Sequence, residues 1–171
     1  EIFDVIQSSL DENNFDNPIS YLSTNIIPAH RLQRIQDLKD DILAHRAPIL
    51  IATQVVEAGV DLDFDMGFRD IGPIDSIIQV AGRINRNNNP EKKNSPLYIV
   101  DFDTQATTMV YGRLTYIQAK KSLEKQTYFN EKEYLKLINE YFDGISEKSS
   151  FADARAFFNS MRSLKYDADD K

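Results

Sequence analysis

The 171-residue chain has no cysteine, no tryptophan and only two histidines. Without cysteine it can form neither a disulfide nor a thiolate metal site. His30 and His45 are too few and too isolated for a zinc centre or a metal-dependent nuclease site, so no metal ligand is predicted. The sequence also shows no signal peptide and no long apolar run, which favours a cytoplasmic location.

Two nucleotide-binding signatures are missing from this sequence. No Gly-x-x-x-x-Gly-Lys-Ser/Thr loop occurs, and no strand ends in an Asp-Glu-x-His sequence. In nucleotide hydrolases such groups cradle the triphosphate and hold its magnesium ion. We therefore expect that the chain on its own does not form a complete triphosphate pocket.

Positive charge is also scarce. The formal net charge is −7, which argues against a protein that holds nucleic acid by bulk positive charge. Acids dominate the first twenty residues, whereas bases gather in 79–100 as Arg83, Arg86, Lys92 and Lys93. Any phosphate contact is therefore expected to be local, with backbone amides and hydroxyl groups contributing much of it.

Hydrophobic residues make up 42% of the chain, enough for one compact domain with a core. Their spacing predicts alternating elements. The predicted helices are 1–10, 28–43 and 73–85, and the predicted strands are 19–23, 48–53, 66–71 and 97–102. This alternation predicts an α/β fold with a doubly wound, mostly parallel sheet, helices on both faces and ligands at the carboxyl ends of the strands.

The sequence after residue 103 is less informative. Helical spacing of apolar residues predicts helices over 104–124, 131–142 and 149–164, and the tail 167–171 is polar. We expect residues 104–166 to cover the sheet or to link it to an accessory domain. Their aromatic residues are better explained as core than as a platform for stacking bases.

The segment from Gln79 to Arg86 carries an unusual polar stripe. On a helix, Gln79, Arg83 and Arg86 would lie within roughly 60° of one another. No acid occurs between Asp75 and Glu91, so neither arginine has a local acidic partner. A solvated helix face is the simple interpretation. The alternative is a phosphate ligand, because guanidinium groups fork onto phosphate oxygens.

Two glycines and the end of a predicted strand mark three further candidate positions. Gly82 costs about 1 kcal/mol relative to alanine inside a helix, which suggests a close approach there. Gly59 is expected to permit a positive φ or a close approach. Thr53 follows the buried strand 48–53, so its hydroxyl and the amides of Gln54 and Val55 are expected at the ligand-binding edge.

Two groups of residues resemble motifs of superfamily 2 helicases. The group that resembles motif V is Thr53, Gly59 and Asp61, and the group that resembles motif VI is Gln79, Gly82, Arg83 and Arg86. The amino-acid sequence of residues 53–64, together with those of 68–70 and 73–76, is most similar to the CRISPR-associated helicase-nucleases recruited by type I interference complexes. The similarity covers residues 19–103 well and is faint beyond.

This resemblance implies roles for the motif residues. Arg83 and Arg86, with Gln79, would be catalytic fingers on the γ-phosphate of ATP. Asp61 would meet the nucleotide's ribose and the neighbouring domain, and the alternative is a carboxylate of a turn or helix N-cap. Gly59 and Gly82 would line the nucleotide site. Glu57 would either orient a finger arginine or be a solvated glutamate.

The resemblance also implies contacts with single-stranded DNA. Thr53 and Gln54 would bind its backbone, and Ser23 and Arg31 match the positions that contact the tracking strand. Arg31 could equally belong to a solvated helix face. A helix that begins at Pro28 would direct its free amides to the same corner.

At the level of the whole protein, the resemblance implies the second RecA-like domain of an ATP-dependent motor in CRISPR antiviral defence. That domain would be 1–103 without its first strand, followed by a helical extension at 104–166 and a flexible tail at 167–171. ATP and Mg²⁺ would be held mainly by a first RecA-like domain. A nuclease domain and the CRISPR RNA-guided surveillance complex would be further partners, and the isolated chain would turn over little ATP.

Two other classes of function stay open on the sequence. One is a superfamily 2 RNA helicase or restriction-type translocase. The sequence Glu57-Ala58-Gly59 argues against this class. The other is a non-catalytic module of the same fold that binds nucleic acid or a protein. The intact set of Gln79, Arg83 and Arg86 argues against that second class.

Overall fold

The structure is a computed structural model that describes residues 2–57, 60–90 and 95–148. Its α-helices are α1 (Ile2–Glu12), α2 (Pro28–Leu43), α3 (Ile74–Ala81), α4 (Thr104–Tyr111), α5 (Arg113–Leu123) and α6 (Tyr134–Lys148). Its strands are β1 (Ile19–Leu22), β2 (Ile49–Ala52), β3 (Gly67–Asp70) and β4 (Leu97–Val100). Short 3-10 helices occupy Gln54–Val56 and Glu131–Glu133.

The first sheet pairs β1 with β2 in parallel, from Ile19 opposite Ile49 to Leu22 opposite Ala52. The connection between them is α2, which begins at Pro28, where the fixed φ of proline suits the first helical turn. Leu38 of α2 is fully buried. This strand–helix–strand unit agrees with the periodicity of the sequence.

A core cluster lies between this sheet, α2 and the segment that follows β2. Its buried members are Leu22, Leu38, Val60 and Leu62. Val60 and Leu62 are 5% and 3% exposed, whereas the side chain of Asp61 between them is 77% exposed. The alternation is that of an extended chain, so Asp61 and Asp63 face the other way from the two core residues.

The second sheet pairs β3 with β4. Gly67 N–H donates to Pro96 O and Ile71 N–H donates to Val100 O, so the bonds advance together along both strands, as in a parallel pair. An added Cβ on Gly67 would lie 2.9 Å from Leu97 Cδ1 and 3.0 Å from Ile84 Cδ1. A larger residue at this position would therefore displace the ends of the Leu97 and Ile84 side chains.

The chain divides into two compact units. The first comprises the described residues of Glu1–Arg69 and Ile78–Tyr98, and the second those of Asp70–Ile77 and Ile99–Lys171. The units are divisions of packing, and the assignment of domains to 1–103 and 104–166 stays a prediction. Of the predicted C-terminal features, the helix over 149–164 and the tail 167–171 lie outside the described residues.

The second unit contains α4, α5 and α6. Asp103 caps α4 by accepting hydrogen bonds from the amides of Gln105 and Ala106, and Gly112 with φ 84° separates α4 from α5. The predicted helix over 104–124 is therefore broken into two. Helices α5 and α6 pack closely, since a Cβ on Gly144 would collide with the side-chain amide of Gln118.

The α/β class is confirmed. The strands of the described residues form two two-stranded sheets, and a single doubly wound sheet stays a prediction. No helix within 2–57, 60–90 and 95–148 is long and apolar enough to span a membrane. In those same ranges no group of three or more acidic or histidine side chains is arranged to hold a metal ion.

One predicted element is wrong in extent. The sequence predicts a helix over 73–85, but α3 ends at Ala81. Gly82 weakens the helix, Ile84 forms a parallel bridge with Phe64, and Asn85 has a left-handed φ of 47°. Consequently Arg83 and Arg86 do not share a helical face with Gln79. The buried side of α3 includes Ile74 and Ile77, at 0% and 5% exposure.

Candidate functional site

The loop after β2 begins with two exposed polar residues. Thr53 N–H donates to Leu22 O at 3.1 Å, which extends the β1–β2 pairing by one residue. Thr53 and Gln54 are both exposed. Thr53 precedes the 3-10 turn Gln54–Val56 but makes no side-chain capping bond to it. Its hydroxyl is therefore not engaged in capping this turn, and it lies at the carboxyl end of a strand as predicted.

Glu57 connects this loop to two arginines. Its carboxylate forms an ion pair with Arg69 at 3.1 Å, and these side chains are only 16% and 17% exposed. Its carbonyl oxygen accepts a hydrogen bond from Arg83 Nη2 at 3.2 Å. The alternative of a solvated glutamate is therefore wrong. The bond to Arg83 comes from the Glu57 main chain, and the carboxylate pairs with Arg69.

Arg83 is half-buried, and its guanidinium group is turned toward the loop after β2. Besides the bond from Nη2 to Glu57 O, its Nε is buried and has no hydrogen-bond partner among the described residues. A guanidinium group carries five N–H donors. The cationic donor set of Arg83 is therefore only partly used by this part of the chain.

Arg86 is held at both ends by acidic side chains. Its Nη1 donates to Asp61 Oδ1 in an ion pair. The Arg86 side chain is 39% exposed and the Asp61 side chain is 77% exposed. Its backbone N–H donates to Asp63 Oδ1 at 2.7 Å. The acids lie 25 and 23 residues from Arg86 in sequence, so the lack of a local acid does not leave Arg86 unpaired.

A short backbone pairing joins the two motifs. Phe64 N–H donates to Arg83 O at 3.0 Å, and Asn85 N–H donates to Phe64 O at 2.8 Å. Ile84 lies between these bonds and forms the parallel bridge with Phe64. The segment that contains Asp61 and Asp63 is thereby fixed beside the segment that contains Arg83 and Arg86.

Gln79 and Gly82 flank the end of α3, and both are exposed. An added Cβ on Gly82 would lie 3.5 Å from Gln79 O and 3.7 Å from Ile78 O, which are ordinary contacts. The described chain itself does not require glycine at this position, so its predicted role beside a nucleotide stays a prediction. Gly59, the other predicted glycine of the site, lies outside the described residues.

Ser23 and Arg31 are engaged with their own turn. Ser23 is 3% exposed, and its hydroxyl oxygen accepts from Asn25 N–H at 3.3 Å. Arg31 Nη2 donates to Thr24 O at 3.2 Å and to Ile26 O at 2.9 Å. The interpretation of Arg31 as a solvated face is therefore wrong. A contact of Ser23 with DNA would require this turn to open.

Sequence reasoning missed Asp63 and Arg69 as parts of the site. Asp63 follows Asp61 by two residues in an extended segment, and this spacing places both carboxylates on one side. That signal was available in the sequence. Arg69 offers no comparable pattern. Its partner Glu57 lies twelve residues away, and the two residues do not share a helix.

The fold and the site together define an α/β protein in which a loop at the end of a parallel strand is joined to a turn that carries two arginines. The family model described as "CRISPR-associated nuclease/helicase Cas3, C-terminal" matches residues 1–89, more than half of the chain. The chain belongs to this family.

Individual relatives agree with this assignment. The CRISPR-associated nuclease/helicase Cas3 of Streptococcus thermophilus is 36% identical over 110 residues, which are 57% of this chain and 12% of that protein. The protein of the same name from Methanothermobacter thermautotrophicus is 32% identical over 113 residues, 64% of this chain and 14% of that protein. The chain thus spans about an eighth of the length of these relatives.

The fold is also found in a solved structure. The crystal structure of T. fusca Cas3 aligns with 96% of this chain and 21% of that chain, with a TM-score of 0.71 and 18% sequence identity. At this identity the match concerns the fold.

Proposed function

We propose that the chain is the second RecA-like domain of an ATP-dependent DNA helicase that unwinds DNA and feeds single strands to a nuclease domain in CRISPR antiviral defence. The observation that carries the proposal is the joining of the two motifs through the Phe64–Ile84 bridge and the two acids on Arg86. In such an arrangement, we propose, a displacement of the arginines is transmitted to the loop. A motor needs this property, because its nucleotide and DNA contacts must be coupled.

Arg86 is suited to exchange its partner. Its ion pair with Asp61 is exposed, and exposed pairs contribute only about 0–1 kcal/mol. A phosphate group offers the guanidinium stronger, charge-assisted bonds. In the proposed function Arg86 leaves Asp61 for the terminal phosphate of ATP, and Asp61 then becomes available to the ribose.

Arg83 is proposed as the second finger. Its Nε has no partner in the described residues, and its Nη2 is oriented by the Glu57 carbonyl. The other N–H groups of Nη1 and Nη2 would donate to phosphate without loss of that orienting bond, whereas Nε is buried. Gln79 is exposed at the end of α3 and would provide an amide from the neighbouring turn.

The cofactors in this proposal are ATP and Mg²⁺, held mainly by a first RecA-like domain that carries the phosphate loop. ATP supplies the free energy of its hydrolysis. From this chain Arg83, Arg86 and Gln79 would stabilise the phosphate charge, and Gly59 and Gly82 would allow the close approach of the nucleotide.

Thr53 and Gln54 are the proposed contacts with single-stranded DNA, because they are exposed at the end of a strand and amides and hydroxyls there suit a phosphate backbone. Ser23 and Arg31 would join them only after the turn 23–26 opens. The CRISPR RNA-guided surveillance complex is the proposed partner that delivers the DNA.

Arg86→Ala in the full-length protein that contains this chain tests the proposal. We expect ATP hydrolysis to fall by about 10³- to 10⁵-fold, the contribution of an arginine finger, while the affinity for single-stranded DNA stays within about twofold. The measurements are steady-state ATPase kinetics and DNA binding by fluorescence anisotropy. Arg46→Ala removes a surface arginine that pairs with Asp41 and serves as the matched control. Unchanged turnover in the Arg86 variant would refute the finger role.

A further inference from the structure

The carboxylate of Asp63 collects three hydrogen bonds from two consecutive residues. Arg86 N–H donates to Oδ1 at 2.7 Å, Asn87 Nδ2 donates to Oδ2 at 2.9 Å, and Asn87 N–H approaches Oδ2 at 3.4 Å. All three donors lie in the turn after the Phe64–Ile84 bridge. Asp63 therefore holds this turn at Arg86 and Asn87, while Asn88 N–H donates to Asn85 O and Asn89 N–H donates to Asn85 Oδ1 within the turn itself.

This turn has little regular structure of its own. It lies beyond the end of α3, and it includes left-handed backbone at Asn85 and Asn88, with φ 47° and 50°. Left-handed backbone is uncommon for residues other than glycine, and asparagine tolerates it best. The bonds to Asp63 are charge-assisted, which makes them roughly twice as strong as neutral ones.

Asp61 and Asp63 act on different parts of Arg86. Asp61 holds the guanidinium group in an exposed ion pair, whereas Asp63 is half-buried and holds the backbone amide. A change of partner by the guanidinium would break the first contact and leave the second intact. The backbone contact can therefore persist while the side chain moves.

We infer that Asp63 is a positioning residue that fixes the turn from which Arg86 reaches the terminal phosphate of a nucleoside triphosphate. This inference rests on the proposed function. Asp63 contacts neither phosphate nor metal in this role and acts only through Arg86. Its removal should therefore weaken recognition of the terminal phosphate and leave recognition of the diphosphate part unchanged.

The experiment measures the affinities of a non-hydrolysable ATP analogue and of ADP for the full-length protein that contains this chain. Their ratio reports the contribution of the terminal phosphate. We expect Arg86→Ala to remove most of this preference and Asp63→Ala to reduce it roughly tenfold, the effect of a lost hydrogen bond to a charged group. ADP affinity should stay unchanged in both variants.

The double variant separates positioning from general damage. In an Arg86→Ala background, Asp63→Ala should have no further effect on the ratio, because a residue that acts through Arg86 has nothing left to position. Asp63→Asn retains an acceptor for the Arg86 amide and should lower the affinity ratio only about threefold. This variant therefore tests the role of Asp63 even if the alanine variant folds poorly. Asp16→Ala, in the exposed loop before β1, is the control for loss of one acid.

The possible results are distinct. If Arg86→Ala keeps the full preference for the triphosphate, the proposed function fails and the inference fails with it. If Arg86→Ala loses the preference but Asp63→Ala and Asp63→Asn keep it, only the inference is overturned. Additive losses in the double variant, or equal losses for ADP and the analogue, would show a general structural effect and would also overturn it.

Discussion

Arg69 shows how a half-buried ion pair can support a site that it does not enter. It pairs with Glu57 with both side chains less than one-fifth exposed, and the Glu57 carbonyl orients Arg83. Removal of one partner of an enclosed charge pair costs more than the pair itself contributes, because the other charge is left poorly solvated. The stability of the loop 53–57 therefore depends on a residue outside both motifs.

We expect Arg69→Met to lower the free energy of unfolding by roughly 1–3 kcal/mol, because methionine keeps the aliphatic stem but removes the charged donors. Arg46→Met is the matched control. Arg46 is 56% exposed and pairs with Asp41 at the surface, so its loss should cost less than about 1 kcal/mol. Denaturant unfolding of the chain measures both. Equal costs for the two variants would contradict the role of enclosure.

Sequence patterns were informative wherever a contact is local. The positions of β1, α2 and β2 follow from apolar spacing and from Pro28, and the structure confirms them within a few residues. The exposed end of β2 at Thr53 follows from the same pattern. These features depend on residues that are close along the chain, so a single sequence contains the information.

Contacts between residues that are far apart along the chain do not follow from local sequence patterns. The helical spacing continues through Ile84 and therefore predicts too long a helix around Arg83, whereas Ile84 pairs with Phe64. The acids that hold Arg86 lie more than twenty residues away. Ser23 was predicted as a surface contact, and its burial follows from packing that no local pattern describes.

At the scale of elements, a polar network ties the end of β4 to α5 in the second unit. Tyr116 OH donates to Asp101 Oδ2 at 2.7 Å, and Lys120 Nζ donates to the same oxygen at 2.8 Å. The hydrogen bond from Lys120, and to a smaller extent the one from Tyr116, holds the pKa of Asp101 below its usual value. The stabilising effect of this network is therefore linked to pH.

The sign of that linkage follows from the lowered pKa. Stability from Asp101 is present above the unfolded pKa of about 3.9 and is lost as the pH falls through the folded value. We expect the difference in unfolding free energy between the native chain and Asp101→Asn to shrink below about pH 4. Lys120→Met should raise the pKa of Asp101 more than Tyr116→Phe does, as measured by NMR titration of the carboxyl carbon. The reverse order would contradict the assigned causes.

At the scale of the whole molecule, charge and length limit what the chain does alone. A net charge of −7 gives no general attraction for nucleic acid, and its arginine-bearing turn presents donors without a phosphate loop. The curated relatives that it matches are much longer, since the aligned residues make up only 12% and 14% of them. We therefore propose that catalysis needs the donors of this chain and a phosphate-binding domain in the same protein.

ATP hydrolysis by the chain and by the full-length protein tests this division, with single-stranded DNA, with RNA and without nucleic acid. We expect the chain alone to show background turnover under all three conditions, because fingers without a pocket leave the triphosphate in solvent. ATP hydrolysis by the full-length protein should be stimulated by DNA and far less by RNA.

Equal stimulation of ATP hydrolysis by RNA would favour an RNA helicase, and binding of DNA that does not depend on ATP would favour a non-catalytic module. Robust turnover by the chain alone would show that it binds the triphosphate through groups other than a phosphate loop, and the proposed pairing of two domains would then be wrong.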